Sequence, residues 1–321
     1  MTAETTVETT GWEVWSDERF ELGEGLRLVG DRLVMTDILS GRLLELPADG
    51  SAPPRVLTEL DRPLGAVAPH ADGGWVAAAG TGVTRLPEDG TTIGLAGPEC
   101  RMNDAVADPA GRFWAGSMAW DATEGAGALH RVDPDGGVTT ALSGLTVPNG
   151  PAFDASGSVM YLADSARGLI LRVDVDPGTG ELGPASTFAE VTTGSPDGMT
   201  VDDRGRLWSA VWGGGVVLVF TPDGRVEQEI AVPARQPTSV CLTGTHLVVT
   251  TAWHGLDGPG RADGALFARP CAVAAPPVRV ARTAVRGRHR QPTERFTDIR
   301  RTSAPPGRWS MSPSGEERPG S

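Results

Sequence analysis

Long apolar runs and clustered cysteines are missing from this chain of 321 residues. No run of about 18 or more apolar residues predicts a membrane-spanning helix. The N-terminal stretch "MTAETTVETTGWEVW" is acidic and Thr-rich, unlike the basic and then apolar start of a secretion signal. Cys100, Cys241 and Cys271 are too few and too scattered for a disulfide framework or a CxxC metal site. We therefore expect a soluble, cytoplasmic protein with reduced thiols.

Two common catalytic patterns are also missing. The chain has no Gly-x-Ser-x-Gly elbow, which excludes the usual serine hydrolase arrangement. Its histidines show no HExxH motif or other ligand spacing, which argues against a histidine-bound zinc centre.

The net charge of −13 is unevenly distributed, and every basic residue is Arg. Residues 1–275 hold 18 Arg against 37 acidic residues, a balance of −19, and residues 276–321 hold ten Arg against four acidic residues. An acidic body repels nucleic acid and anionic membranes, so we expect neither as a partner. The Arg-, Pro- and Ser-rich composition of residues 284–321 predicts a disordered tail. We expect one folded domain over 11–283, preceded by a flexible N-terminus over 1–10.

Short strand-like runs joined by turn residues recur along the chain, as in "RLVMTDILSGRLLEL" and "GVVLVFTPDGRVEQEIAV". No long segment keeps a helical period, so the pattern predicts an all-β protein. A turn residue followed by an apolar anchor repeats six times, at Leu33, Trp75, Phe113, Val159, Leu207 and Leu247, with steps of 42, 38, 46, 48 and 40 residues. A unit of about 40–45 residues with four strands is typical of a propeller blade, so we predict a six-bladed β-propeller.

Oxygen-bearing side chains recur at one phase of this repeat. Counting back nine or ten residues from each anchor reaches Glu24, Ala66, Asn103–Asp104, Asn149, Asp197 and Thr238. In a propeller these positions fall on one rim of the central channel, although Asn-Gly and Asp-Gly are also ordinary turn formers. A set of Glu, Asp and Asn oxygens suits Ca²⁺, Mg²⁺ or Mn²⁺.

This rim suggests metal-assisted hydrolysis, with Asp197 able to accept a proton. Arg101 and Asn103 can donate hydrogen bonds to a hydroxylated or carboxylated substrate. The alternative for Arg101 is a pair with a surface carboxylate.

The segment "RMNDAVADPAGRFWAGSMA" resembles the Arg-x-Asn-Asp segment of the family of senescence marker protein (regucalcin), gluconolactonase and luciferin-regenerating enzyme. "VPNGPAFD" and "PDGMTVDDRGRLWSAVWGGG" are similar to further family motifs, and the resemblance spans roughly residues 11–270. It implies a six-bladed propeller that hydrolyses lactones with one divalent cation, Ca²⁺ or Zn²⁺ among others. It also implies that Glu24, Asn149 and Asp197 bind the metal, that Asp197 is the general base, and that Arg101 and Asn103 contact the substrate.

Two stretches depart from the family pattern. Where the family has Glu-Gly-Pro and an aromatic residue, this chain has "GEGLRLVG", with Leu26 and Arg27 after the glycine. A carboxylate that contacts substrate in the family falls near "WDATEGAGAL", where Asp121 and Glu124 are both candidates.

We therefore predict a metal-dependent lactonase acting on a small-molecule sugar lactone. Ca²⁺ is the expected cation, with Zn²⁺, Mn²⁺ or Mg²⁺ as alternatives. The rival hypotheses are a non-catalytic propeller that binds Ca²⁺ or a metabolite, and a hydrolase of another ester class. Because a closed propeller protects its strand edges, we expect a monomer or a weak oligomer.

Overall fold

A computed structural model describes residues 11–285 and 293–294. Strands dominate it, and they form six sheets arranged as a ring. The prediction of an all-β, six-bladed propeller is confirmed. Residues 1–10 and most of the predicted tail lie outside the described part of the chain.

Each sheet is one blade, and its strands follow chain order from the channel outward in five of the six cases. Blades I and II contain β2 (Gly23–Val29), β3 (Arg32–Asp37), β4 (Arg42–Pro47) and β5 (Arg55–Glu59), then β6 (Leu64–Pro69), β7 (Trp75–Ala79), β8 (Gly82–Leu86) and β9 (Thr92–Gly94). Blades III and IV contain β10 (Cys100–Ala107), β11 (Phe113–Ala119), β12 (Gly127–Val132) and β13 (Val138–Leu145), then β14 (Pro148–Phe153), β15 (Val159–Asp164), β16 (Leu169–Asp174) and β17 (Ser186–Glu190), with a 3₁₀ turn at Ser165–Arg167 between β15 and β16. Blades V and VI contain β18 (Ser195–Val201), β19 (Leu207–Trp212), β20 (Val216–Phe220) and β21 (Val226–Ala231), then β22 (Pro237–Leu242), β23 (His246–Thr251) and β24 (Leu266–Pro270).

The N-terminal strand β1 (Glu13–Ser16) closes the ring. It pairs antiparallel with β24 as the outermost strand of blade VI, with Val14 opposite Phe267. Because residues from both ends of the domain build one blade, the circle is held by backbone hydrogen bonds between distant parts of the chain.

Apolar clusters fill the spaces between neighbouring blades. Each of the six interfaces has its own buried cluster, for example Phe113 and Met102 of blade III against Val76 and Val83 of blade II. The sequence supplies these contacts because both faces of a blade are buried, which favours nearly continuous apolar strands such as β7, "WVAAA".

The two Gly-Arg-x-Trp turns, in blades III and V, are fixed by aspartates. Asp202 accepts hydrogen bonds from the Arg206 backbone N–H at 2.9 Å, from Arg206 Nε at 2.7 Å and from Trp208 Nε1 at 3.0 Å. Asp108 binds the backbone and side chain of Arg112 and the indole of Trp114 in the same way. The same local chemistry therefore orients the start of the second strand in blades III and V.

Residues 271–285, here called the strap, cross the end of the ring opposite the starts of the innermost strands. Hydrogen bonds join the strap to blades VI, V, IV, II and III through Gly244, Asp203, Ala155, Ala71 and Gly111. Beneath β2, β10, β14, β18 and β22 the strap borders a cavity of about 120 Å³, which Arg27 and Cys241 also line. The strap runs past residue 283, the predicted end of the domain, and the N–H of Ala284 donates to Pro134 O at 3.0 Å. Beyond it, β25 (Thr293–Glu294) pairs parallel with β13.

Among the described residues, no helix has the length and apolar character needed to cross a bilayer. The three cysteines are unpaired. Burial raises the pKa of the Cys241 thiol to about 12, so this thiol stays protonated at neutral pH.

Candidate functional site

Four of the innermost strands bring polar side chains to one end of the channel. Glu24 lies near the start of β2, Asn103 near the start of β10, Asn149 on β14 and Asp197 on β18. All four side chains are buried. The remaining two blades place Ala66 and Thr238 at this phase, as the repeat spacing predicts.

A bulge interrupts every innermost strand at this level. The pairing between the first and second strands of each blade shifts register between Glu24 and Arg27, Leu64 and Ala66, Met102 and Ala105, Asn149 and Ala152, Pro196 and Met199, and Pro237 and Ser239. A bulge bends the strand and redirects a side chain, which is why bulges occur beside binding sites. The repeated phase seen in the sequence is therefore a repeated backbone irregularity.

Glycines that follow the site residues serve this bulged geometry rather than a turn. Gly150 has a φ of +49°, and a Cβ there would lie 2.6 Å from Asp197 O. Gly198 needs no left-handed backbone, but its Cβ would lie 2.8 Å from the Cα of Ser239 on the next blade. The interpretation of Asn-Gly and Asp-Gly as loop turns is thus wrong at these two positions, because both pairs lie inside strands that pack closely around the channel.

The carboxylates of Glu24 and Asp197 form the centre of the site, with side chains only 4% and 3% exposed. Burial raises the pKa of both groups well above the usual range. The neighbouring negative charges contribute further: Asp197 and Asp104 raise the pKa of Glu24, and Asp104 raises the pKa of Asp197. Asn149 Nδ2 donates a hydrogen bond to Asp197 Oδ1. Two buried acids therefore face each other with an amide beside them.

Arg101 and Asn103 form a second polar group on β10, next to these acids. Arg101 is 3% exposed, and its Nη1 donates to Asn103 Oδ1 at 2.7 Å and to Met102 O at 3.1 Å. Asn103 Nδ2 donates to Pro148 O at 3.0 Å on blade IV. Burial lowers the pKa of Arg101 to about 10, while Glu24 and Asp197 act in the opposite direction. The guanidinium is charged at neutral pH, and it lies in the channel rather than beside a surface carboxylate.

The donor set of Glu24, Asn149 and Asp197 fits a hard divalent cation. Two buried carboxylates held together are costly unless a positive charge or a proton offsets them. Asn149 Oδ1 accepts one bond, from Gly150 N at 3.3 Å, and an amide oxygen has a second lone pair. Within residues 11–285 and 293–294, no three His, Cys, Asp or Glu side chains are grouped closely enough to hold an ion. Beside the two carboxylates, the Asn149 amide oxygen is a third hard oxygen that could contact such an ion.

The loop between β11 and β12 lies on the same end of the propeller and contains the other predicted substrate residue. Asp121 is exposed there, and its Oδ1 accepts bonds from Thr123 N at 2.9 Å and Thr123 Oγ1 at 2.7 Å. Glu124 lies 3.5 Å from Arg167 in an ion pair. The structure thus places both candidates at the rim and neither inside the buried group of Glu24, Asp197 and Arg101.

The sequence patterns missed two residues near the site. Trp120 is 43% exposed, and its ring centroid lies 5.9 Å from Arg101 Cζ. Asp104 is buried and pairs with Arg27, the residue that departs from the family pattern. Trp120 gave no signal because a single aromatic residue after a strand has no spacing to recognise. Asp104 lies at the same position of the blade repeat as Asn103, but only Asn103 is predicted to contact substrate.

Residues 22–253 match the model of the SMP-30/Gluconolactonase/LRE-like region. The chain belongs to this family. The matched range spans the buried site from Glu24 to Asp197, so the site lies inside the part of this SMP-30/gluconolactonase family protein that is shared with its relatives.

Similar proteins include two with lactonase names. The chain is 37% identical to pentonolactonase XacC of Haloferax volcanii over 257 residues, covering 77% of this chain and 86% of that protein. It is 35% identical to a 6-deoxy-6-sulfogluconolactonase of Pseudomonas putida over 226 residues, covering 67% of this chain and 76% of that protein. Among solved structures, a regucalcin described as calcium-binding, from Agrobacterium tumefaciens, has a TM-score of 0.74 at 28% identity, covering 84% of this chain and 98% of that one.

Proposed function

We propose that this SMP-30/gluconolactonase family protein is a lactonase that hydrolyses a sugar lactone or a related lactone with one divalent cation. The observation that carries the proposal is the buried pair of Glu24 and Asp197, with Asn149 beside it, next to the charged Arg101–Asn103 group. The lactonase names of the relatives agree with this reaction class. Ca²⁺ is the expected cation because all three ligands are hard oxygens, and Mg²⁺, Mn²⁺ or Zn²⁺ are the alternatives.

Glu24, Asn149 and Asp197 would hold the cation. When bound, it supplies a Lewis acid that polarises the ester carbonyl. Arg101 donates hydrogen bonds to oxygens of the substrate, and Asn103, which holds the guanidinium at 2.7 Å, keeps that donor in place. Because Arg101 is buried, its charge is not screened by bulk water and orients an anionic or hydroxylated substrate effectively.

Asp197 accepts a proton from the attacking water. The oxygen of that water forms a bond to the carbonyl carbon, the bond from this carbon to the ring oxygen breaks, and the departing ring oxygen takes up the proton that Asp197 accepted. One lactone and one water thus give one hydroxy acid. Asp197 suits this role because it is buried and because its carboxylate has about four lone-pair sites, of which the bond from Asn149 to Oδ1 occupies one.

The test is hydrolysis of a panel of aldonolactones and aliphatic lactones, followed by acid release. The protein is stripped with a chelator and refilled with Ca²⁺, Mn²⁺, Mg²⁺ or Zn²⁺. We expect activity to disappear on stripping and to return with one cation. Asp197→Ala should lose both cation binding and turnover.

Arg101→Ala separates the lactonase from a propeller that only binds Ca²⁺ or a metabolite. The lactonase proposal predicts that this variant binds the cation at least as tightly as wild type and loses turnover, because the guanidinium contacts substrate rather than cation and its removal takes a positive charge away from Glu24 and Asp197. Arg172→Ala is the matched control, since Arg172 pairs with Asp174 on blade IV, away from the channel. Tight cation binding without turnover of any lactone in the panel would favour the binding protein instead.

A further inference from the structure

Side chains of one blade bind the backbone of the next blade directly before the candidate cation ligands. Within the described sheets, each innermost strand pairs with a neighbouring strand on one side only. Backbone carbonyls directed to its other side need partners from outside the sheet, because a buried carbonyl without a hydrogen bond is costly. Hydroxyl and amide groups of the preceding blade supply such partners beside the site.

The carbonyl before Asp197 is bound by Ser165. Ser165 Oγ of blade IV donates to Pro196 O of blade V at 2.6 Å, and Ser165 is only 1% exposed. Ser165 is itself held in place, since its N–H donates to Val147 O at 2.9 Å at the start of the 3₁₀ turn. The peptide bond between Pro196 and Asp197 is therefore fixed to blade IV, the blade that also carries Asn149.

The carbonyl before Glu24 is bound by Thr238. Thr238 of blade VI is fully buried, and its Oγ1 donates to Gly23 O of blade I. The same oxygen lies 2.9 Å from Thr250 Oγ1 on the adjacent strand β23, a contact that holds the Thr238 side chain in one orientation. The peptide bond between Gly23 and Glu24 is therefore fixed to blade VI.

The third candidate ligand follows a contact of the same kind. Asn103 Nδ2 of blade III donates at 3.0 Å to Pro148 O, the carbonyl before Asn149 on blade IV. All three candidate ligands thus come directly after a carbonyl that a side chain of the preceding blade binds.

A fourth contact of this kind lies between blades I and II. Thr36 Oγ1 donates at 2.8 Å to Gly65 O, the carbonyl before Ala66. Because Ala66 has no polar atom on its side chain, this contact only joins the two blades. The contact therefore belongs to the repeat, and three blades place a candidate ligand directly after it.

A bound carbonyl orients the side chain that follows it. The peptide bond is planar, so the carbonyl and the N–H of the next residue turn together and set the direction in which the next side chain projects. The pairing with the second strand shifts register within Pro196–Met199 and after Glu24, so the regular ladder does not fix Asp197 and Glu24 alone.

We propose that Ser165 and Thr238 are positioning residues that hold Asp197 and Glu24 in the geometry required for cation binding. Both act through the backbone, by way of Pro196 O and Gly23 O. The inference rests on the proposed function, because it requires a cation between these carboxylates.

The test is calorimetric titration of the chelator-stripped, full-length protein with CaCl₂. Thr238→Val keeps the size of the side chain and removes the hydroxyl, whereas Thr238→Ser keeps the hydroxyl and removes a methyl group. Thr238→Val should weaken Ca²⁺ binding roughly tenfold, the lower end of the range for groups that act behind metal ligands. Thr238→Ser should bind Ca²⁺ much as wild type does. Ser165→Ala should weaken binding by a factor similar to that of Thr238→Val.

Thr84→Val is the matched control. Thr84 is also a buried threonine, and its Oγ1 donates to a backbone carbonyl, Thr91 O, at 2.8 Å, but it lies on β8 in the outer half of blade II. Its loss should lower the melting temperature without changing Ca²⁺ affinity. This control separates the loss of a buried hydrogen bond from the loss of ligand position.

Thr238 joins blades VI and I, so Thr238→Val is the variant most at risk of not folding. Ser165→Ala then decides, because its contact lies between blades IV and V. Wild-type Ca²⁺ affinity in Ser165→Ala, or equal weakening by Thr238→Ser and Thr238→Val, would overturn the positioning role. Failure of the wild-type protein to bind Ca²⁺, Mg²⁺, Mn²⁺ or Zn²⁺ in the same titration would instead overturn the proposed function.

Discussion

Glu24→Gln is predicted to stabilise the cation-free protein while weakening its cation binding. Glu24 and Asp197 are both buried, and each lies within the electrostatic reach of Asp104. Without a cation this region carries three acidic groups against the buried Arg101 and the partly buried Arg27. Replacing one carboxyl by an amide of the same shape removes part of this imbalance and leaves a group that can still donate a hydrogen bond to Asp197.

The size of the gain is limited by proton linkage. A carboxyl that stays protonated at pH 7, with an unfolded pKa of about 4.5, costs at most about 3.4 kcal/mol, so we expect a gain of about 1–3 kcal/mol. The folded pKa is raised, so the cost is absent below the unfolded pKa and grows as pH rises towards the folded pKa. The advantage of Glu24→Gln should therefore shrink as pH falls from 7 to 4.5.

The assay is thermal unfolding in chelator and in excess Ca²⁺. For about 275 folded residues the melting entropy is about 0.6 kcal/mol/K, so the gain corresponds to roughly 2–5 °C in chelator. In excess Ca²⁺ the order should reverse, because saturation at about 1,000 times Kd stabilises the wild type by about 4.1 kcal/mol, which exceeds the gain. Glu229→Gln, an exposed site on β21, is the control and should shift neither curve. A lower melting temperature for Glu24→Gln than for wild type in chelator would refute the reasoning.

Three further predictions follow from single contacts. Gly150→Ala should abolish cation binding, because its Cβ would lie 2.6 Å from Asp197 O at a φ of +49°; a titration like that of wild type would contradict this. His130 is buried against Ser117 at 2.9 Å with its pKa lowered to about 4, so the protein should lose up to about 3 kcal/mol between pH 6.5 and 4. Urea unfolding of His130→Gln should show a flatter pH dependence over that range. Trp120→Ala should raise KM for the lactone about fivefold with little change in kcat, since its ring lies against Arg101 at the rim. Trp120→Phe should recover most of the loss in KM. A fall in kcat without a change in KM would contradict this role in substrate binding.

The blade number was predictable because each blade repeats one local solution. A turn residue such as Gly111 or Gly205 and the apolar residue that begins the second strand recur at nearly constant steps, and the anchors Phe113 and Leu207 start β11 and β19. The strap was not predictable, because its partners are backbone atoms of five different blades rather than a periodic apolar face. Sequence composition places residues 271–283 of the strap in the domain and Ala284 and Val285 in the tail.

The site was predictable only to the level of strand phase. Phase placed Glu24, Asn149 and Asp197 on one rim, but it could not separate Asn103 from Asp104, which are adjacent in the sequence. The bulge between Met102 and Ala105 gives the two residues different surroundings: Asn103 contacts Arg101 and Pro148, and Asp104 contacts Arg27. That difference depends on which strands approach across the channel, and no local pattern contains it.

The side chains at the equivalent position of the six innermost strands differ, and this difference creates a polar site at one end of the channel. Thr238 of blade VI occupies the same phase as Glu24, but its hydroxyl donates to Gly23 O and lies 2.9 Å from Thr250 Oγ1, so it joins β22 to β2. Ala66 of blade II has no polar atom on its side chain, and Gly65 before it permits β6 to approach Asn103 closely. The acidic and amide groups are therefore confined to blades I, III, IV and V. Thr238 of blade VI instead stabilises the position of β2, the strand that bears Glu24. Ala66 is fully buried, so at this phase blade II contributes packing and no polar ligand.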